Sequence, residues 1–220
     1  MKLQQLIEIT RQELDDATAP YLWTDSFLLE AAVDAENEAA RRGRLIVDST
    51  TTAICQIDVV AGTALYPLDP RVIQVNRMSF VDEAMPVTPM MVRQLDACLP
   101  GWLTEESDPP IYWCPDYQQG QILLVGIPTS DATLKLSVER LPLVEMDQME
   151  DEPELRPEYH RNLRHWMMYR AYSLRDSETF NLEQAALAKQ MFEAEFGPAR
   201  PAYDEQWIAH HYNDSMVGRY

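Results

Sequence analysis

Helical periodicity marks both ends of this sequence, and strand texture fills its middle. That order constrains the fold more than any other feature, because neither helical end carries enough apolar surface to bury a core alone. Within residues 1–19, Leu3, Leu6, Ile7 and Leu14 share one helical stripe, with Thr10 and Arg11 beside it. Pro20 stops that helix. Thr24 or Asp25 caps a second helix that reaches about Arg42, with Phe27, Leu28, Ala31, Ala32, Ala35 and Ala39 on a narrow face. Gly43 reads as its stop, and Trp23 as the plug of the turn. Near the other end, Pro157 suits the first position of a third helix, which carries Tyr159, Leu163, Trp166, Met167, Arg170 and Leu174. A fourth, 180–196, carries Leu182, Ala185, Ala186, Ala188, Met191, Phe192 and Phe196 before Gly197-Pro198 ends it.

The middle reads differently. Strand character appears at 53–60, at 65–68, at 111–114, at 121–125 and at 134–140. In 71–81 the apolar residues Val72, Ile73, Val75, Met78 and Phe80 alternate imperfectly, which predicts a strand with a bulge. A short helix is expected over 90–98, ended by Pro100-Gly101. No long crossover helix separates these strands, so an antiparallel arrangement is expected. The predicted fold is therefore α+β. Residues 1–48 and 145–197 form N- and C-terminal helix pairs that pack as a four-helix unit, 49–144 form an inserted antiparallel β-rich domain, and 198–220 form an extended C-terminal arm.

Charge narrows the function. The 220 residues hold 18 Lys and Arg against 36 Asp and Glu, a formal net charge of −18. A chain this acidic does not grip a phosphate backbone over a wide face, since that grip comes from Lys and Arg. The densest basic group, Arg41, Arg42 and Arg44, is small. Five Trp and a hydrophobic fraction of 46% argue for a folded chain rather than a disordered acidic one. No run of 18 apolar residues suggests a membrane span, and Met1-Lys2-Leu3-Gln4-Gln5 lacks the apolar core of a cleaved leader. Cys55, Cys98 and Cys114 are odd in number and widely spaced, so reduced thiols are expected.

No catalytic constellation emerges. The sequence has no phosphate-binding glycine loop, dinucleotide fingerprint or nucleophile elbow. His160 and His165 are five apart, off a common helix face, and the acidic run 145–158, with seven carboxylates against Arg156, lacks a calcium-loop spacing. It reads as a solvated charge run. No metal or cofactor is expected. Three features point instead to contacts with other chains. The helices are alanine-rich, Met85, Met90 and Met91 cluster near Pro86 and Pro89, and residues 198–220 carry Tyr203, Trp207, Ile208, Tyr212, Met216, Val217 and Tyr220. That last segment reads as a docking arm ordered by a partner, with packing on its own domain as the alternative.

Several short motifs follow one another along the chain. Leu14-Asp15-Asp16 ends the first helix and Tyr21-Leu22-Trp23-Thr24-Asp25 opens the second. Tyr66-Pro67-Leu68-Asp69 leads into Val72-Ile73-Gln74-Val75, and Pro89-Met90 precedes the short helix. Pro109-Pro110-Ile111-Tyr112-Trp113, Gln121-Ile122-Leu123-Leu124 and Leu155-Arg156-Pro157-Glu158-Tyr159-His160 complete the series. Over about residues 3–196, this order resembles the head-to-tail adaptor (connector) proteins of tailed bacteriophages. The arm has no residue-by-residue counterpart in that resemblance.

The resemblance implies a structural virion protein without catalysis, made in the host cytoplasm and built into the neck between head and tail. It implies a ring of usually twelve copies below the portal protein, continuing the DNA channel toward a downstream tail or neck protein, with double-stranded DNA passing without specific binding and no membrane involved. Tyr203, Trp207, Ile208, Tyr212 and Tyr220 become the expected portal anchors. Ala31, Ala35, Ala39, Trp166 and Ala185 become expected subunit contacts, and Asp147, Glu150, Asp151 and Glu152 the expected carboxylates of the lumen. Another neck component such as a tail terminator shares most of these expectations. A small acidic binding module and a hydrolase with an irregular β pocket are the readings from other classes.

Overall fold

The computed structural model describes residues 1–175 and 179–199. In chain order it contains α1 (Leu3–Glu13), α2 (Asp25–Gly43), β1 (Val47–Asp48), α3 (Thr52–Cys55), β2 (Gln56–Val59), β3 (Leu65–Pro67) and β4 (Val72–Phe80). There follow β5 (Thr88–Pro89), α4 (Val92–Cys98), β6 (Tyr112–Cys114), β7 (Gln121–Val125), β8 (Ala132–Arg140), α5 (Pro157–His160), a 3-10 turn Arg161–Leu163, α6 (Arg164–Tyr172) and α7 (Leu182–Phe196). The class is α+β, with N- and C-terminal helices flanking a central β-rich region. Met1–Ile46 with Leu141–Ala199 make one compact unit, and Val47–Arg140 lie in a second. The β-rich unit is thus shifted from 49–144, taking in Val47 and Asp48 and giving up the residues from Leu141 onward. Val47 and Asp48 pair with β8, while Leu141 and Met146 pack into the helical core.

In the helical unit, Leu3, Leu6, Leu28, Leu163, Met167 and Phe192 are fully buried in one cluster. Each such side chain contributes about 1.5–3 kcal/mol relative to exposure. The first helix is shorter than residues 1–19. It ends at Glu13, Asp15 takes a positive φ of 56°, and the chain turns inward so that Asp16 meets Arg11. Arg11 also donates to the Trp23 carbonyl at 2.8 Å and to Asp25 at 2.7 Å, and its guanidinium lies 3.9 Å from the Tyr21 ring centroid. Trp23 does plug the hairpin: it is buried, meets Tyr172 edge-on at 6.3 Å, and its Nε1–H donates to the Ala171 carbonyl. Thr24 caps α2 by accepting the Phe27 N–H. The helix runs through Gly43 and stops at Arg44, whose φ is 51°, so Gly43 is not the stop itself. The third helix forms in pieces, with the 3-10 turn between α5 and α6.

The β unit holds two sheets. In the first, β4 pairs along β8 and β1 and β2 pair with β8 as well, all antiparallel. The expected bulge is present: the β4–β8 register shifts between Val72 and Gln74 and again between Val75 and Arg77. The second sheet has the order β3-β7-β6-β5. Its β5–β6 pair is parallel, a departure from an all-antiparallel unit. Residues 53–60 do not form one strand. Asp48 gathers the N–H groups of Thr50 and Thr51, and the chain makes the turn α3 before β2 starts. Gly126 has a φ of 91°, and a side chain there would strike Ser107.

Candidate functional site

The acidic run is not a free solvated segment. Leu3 and Gln4, in the first turn of α1, donate their N–H groups to the carbonyls of Asp151 and Met149 at 2.8 and 2.9 Å. These are donors that a helix start leaves open. Glu36 of α2 accepts the Glu154 N–H at 2.6 Å, and Glu154 accepts the Leu143 N–H at 2.7 Å. Met146 and Leu155 are buried in the helical core, and His160 donates Nε2–H to the Leu155 carbonyl at 2.7 Å.

This clamp sorts the expected lumen carboxylates. Asp147, Glu150 and Glu152 are exposed. Asp151 instead turns its carboxylate back onto the N–H groups of Asp147 and Gln148, at 3.0 and 2.9 Å. Those bonds, with Gln148 foremost, hold its carboxyl below the usual range. Glu36 is the opposite case. Burial pushes its carboxyl up to about 7, against the amide bonds from Glu154 and Leu155, and the charge of Glu154 adds to the rise.

The expected helix-face contacts divide too. Ala31, Ala35 and Ala39 are fully buried in their own unit, and Ala185 is nearly so. Their small side chains serve close packing inside the chain. Trp166 is half-buried. Its ring stacks near Tyr169 and Phe192, with centroids at 5.1 and 5.0 Å, and the Arg42 guanidinium lies 4.7 Å from its own. Glu38 pairs with Arg42 at 2.6 Å.

The outward apolar residues lie elsewhere. Helix α7 buries only Ala185, Ala188, Phe192 and Phe196. Its other side presents Leu182 at 68% exposure and Leu187 and Met191 at 47% each, with Ala186, Gln190 and Ala194 between them. The sequence named Leu182 and Met191 among the apolar residues of this helix without dividing them by face. The 3- and 4-residue spacing of 185, 188, 192 and 196 separates the two faces. In the β unit, Met85 is the most exposed of the clustered methionines at 77%, while Met90 packs against the cluster of Leu95, Trp102 and Cys114. Tyr203, Trp207, Ile208, Tyr212 and Tyr220 lie outside the described residues.

No group of three His, Cys, Asp or Glu side chains gathers to hold a metal among the described residues. No described helix is long and apolar enough to cross a membrane. A family model described as SU10 adaptor protein matches residues 1–212. The chain belongs to the SU10 adaptor protein family. It is a head-to-tail adaptor, a structural component of a phage virion neck and not an enzyme. No curated protein matches the chain. For an adaptor, the functional surfaces are those that meet other chains. The outer face of α7 and the clamped acidic segment are such candidates in the helical unit.

Proposed function

We propose that copies of this adaptor close into a ring beneath the portal protein, join the head to the tail, and continue the DNA channel. The observation that carries this reading is the family match over residues 1–212 of a chain whose terminal helices enclose a β-rich insertion. The four helices α1, α2, α6 and α7 act as one bundle, and neighbouring copies meet through the outer face of α7, where Leu182, Leu187 and Met191 lie open. Each copy brings −18 formal charges. Apolar burial, counterions and a complementary portal surface must offset that repulsion. Asp147, Glu150 and Glu152 face the lumen, where like charge keeps DNA sliding rather than bound. The arm, with Trp207 as its main anchor, docks on the portal, and the β unit meets the next tail or neck protein.

Negative-stain electron microscopy of the adaptor mixed with the portal ring from the same source tests this. A ring of added density beneath the portal, with matching symmetry, is the expected result. Free portal rings beside unattached adaptor would move the protein to a lower position in the neck.

A further inference from the structure

The β unit enters at Val47 and leaves at Arg140. Its entry and exit strands pair antiparallel, Val47 opposite Glu139 and Asp48 opposite Val138. A buried ion pair sits at this junction. Arg140 donates Nε–H to Asp48 Oδ2 at 2.7 Å, and both side chains are 5% exposed. The same carboxylate accepts four more bonds. Thr50 donates its N–H at 2.8 Å and its hydroxyl at 3.2 Å, and Thr51 donates its N–H at 3.1 Å and its hydroxyl at 2.7 Å. Thr51 in turn heads the α3 turn, its carbonyl accepting the N–H groups of Ile54 and Cys55. One carboxylate therefore ties together the strand that enters the unit, the turn that follows it, and the last residue before the chain leaves.

Every named strand finds its partners within 47–140, where the second sheet also has its own core of Leu95, Trp102, Cys114, Leu123 and Val125. A unit with its own sheets and core, and with its two ends bound to each other, has what separate cooperative opening requires. We propose that Asp48 and Arg140 form the closing lock of the β unit, so that residues 47–140 open and close as one body while the helical unit stays folded. This goes beyond the ring assignment and does not depend on it. An adaptor so built can open the insertion without dissolving the helices. Bonds saturating the carboxylate support the lock: burial alone would raise the Asp48 carboxyl, and the Thr51 hydroxyl, the Thr50 amide and Arg140 together outweigh it and hold it well below the usual range.

The test uses the full-length chain. Asp48→Asn keeps the shape and removes the charge, while Arg140→Gln leaves the carboxylate without its cation. Amide hydrogen exchange read by mass spectrometry follows peptides over β1, β4 and β8, over β6 and β7 of the second sheet and, separately, over α1, α2 and α6. The lock predicts exchange at least tenfold faster across β1, β4, β6, β7 and β8 in both variants, with α1, α2 and α6 at wild-type rates. Equal acceleration in both units, including global unfolding of either variant, would overturn it by showing one cooperative fold. Unchanged exchange everywhere would overturn it by showing the pair to be dispensable. Arg140→Lys, which keeps the charge but not the guanidinium fork, should fall between wild type and Arg140→Gln. Acceleration confined to α2 and α6 in any of the three variants would overturn the lock.

Discussion

The buried carboxylate of Glu36 accepts the backbone N–H of Glu154 at 2.6 Å, across 118 positions of sequence. It pins the acidic segment to α2 from inside the helical unit, in a site whose burial disfavours its own charge. The carboxyl rises from 4.5 to about 7. A raised carboxyl stabilises the folded state most below its unfolded value, and that contribution is lost as pH climbs through the folded value. Stability should therefore fall between about pH 4.5 and pH 7 from this group, by on the order of 3 kcal/mol. In Glu36→Gln the side-chain carbonyl still accepts the amide bond but nothing ionises. Urea unfolding at pH 5 and pH 8 should show wild type losing stability relative to the variant at the higher pH. Parallel losses would remove Glu36 from the account.

Arg11 offers a different kind of dependence. Its side chain and that of Asp16 are both buried, and Arg11 also holds Asp25 and the Trp23 carbonyl. Replacing it by Met leaves Asp16 a buried charge without its cation. A loss of about 3–5 kcal/mol is expected. Adding Asp16→Asn should recover part of it, since the stranded charge is then gone. The midpoints of chemical unfolding for the two variants measure this, and equal losses would mean that packing of the Arg11 stem carries the effect.

Glu36 and Arg11 also show where sequence stops being legible. Periodicity found the helices because each needs one apolar face, and Leu3, Leu6, Ile7 and Leu28 lie on those faces. Turn residues placed β7 and the bulged β4. The alanine stripe was visible too, but Ala31, Ala35 and Ala39 look the same whether they meet a neighbour in their own chain or in another copy. Only the fold separates those cases. The clamp on the acidic run was invisible because its bonds run through the backbone, between Leu3 and Asp151 and between Gln4 and Met149. Carboxylate composition suggests solvation and says nothing about which carbonyls a helix start will take. The break at α3 came from Asp48, whose bonds to Thr50 and Thr51 compete with a strand.

The cysteines give a chemical check on burial. Cys98 is exposed, while Cys55 and Cys114 are buried. Burial pushes the Cys114 thiol up to about 12, and the hydrogen bond to Asp116 adds to that. Burial and then the Asp48 charge raise Cys55. Alkylation acts on the thiolate. Iodoacetamide at pH 8 should label Cys98 in the native protein and reach the other two only after urea is added. Native labelling at Cys114 would contradict its burial.

The arm is tested against the acidic segment. Trp207→Ala should weaken capture of the adaptor by immobilised portal rings far more than Glu152→Ala does, because a large aromatic anchor contributes more to a docked segment than one exposed carboxylate. Pull-down at matched concentrations reads both variants, and equal losses would remove Trp207 as the anchor.

Helix α7 separates assembly from folding within one element. Phe192 is fully buried, and Leu187 and Met191 stand on the opposite side, each 47% exposed. Phe192→Ala should cost about 3–5 kcal/mol of stability through lost burial and the cavity it leaves. Leu187→Glu and Met191→Glu touch no core and should change stability by about 0.5 kcal/mol or less. If the outer face of α7 is where copies meet, the same two substitutions place a desolvated charge in each contact and abolish the ring on the portal. Thermal melts and electron microscopy of portal mixtures give the two readings independently. Native-like melts with rings still formed would place the contact between copies on another face.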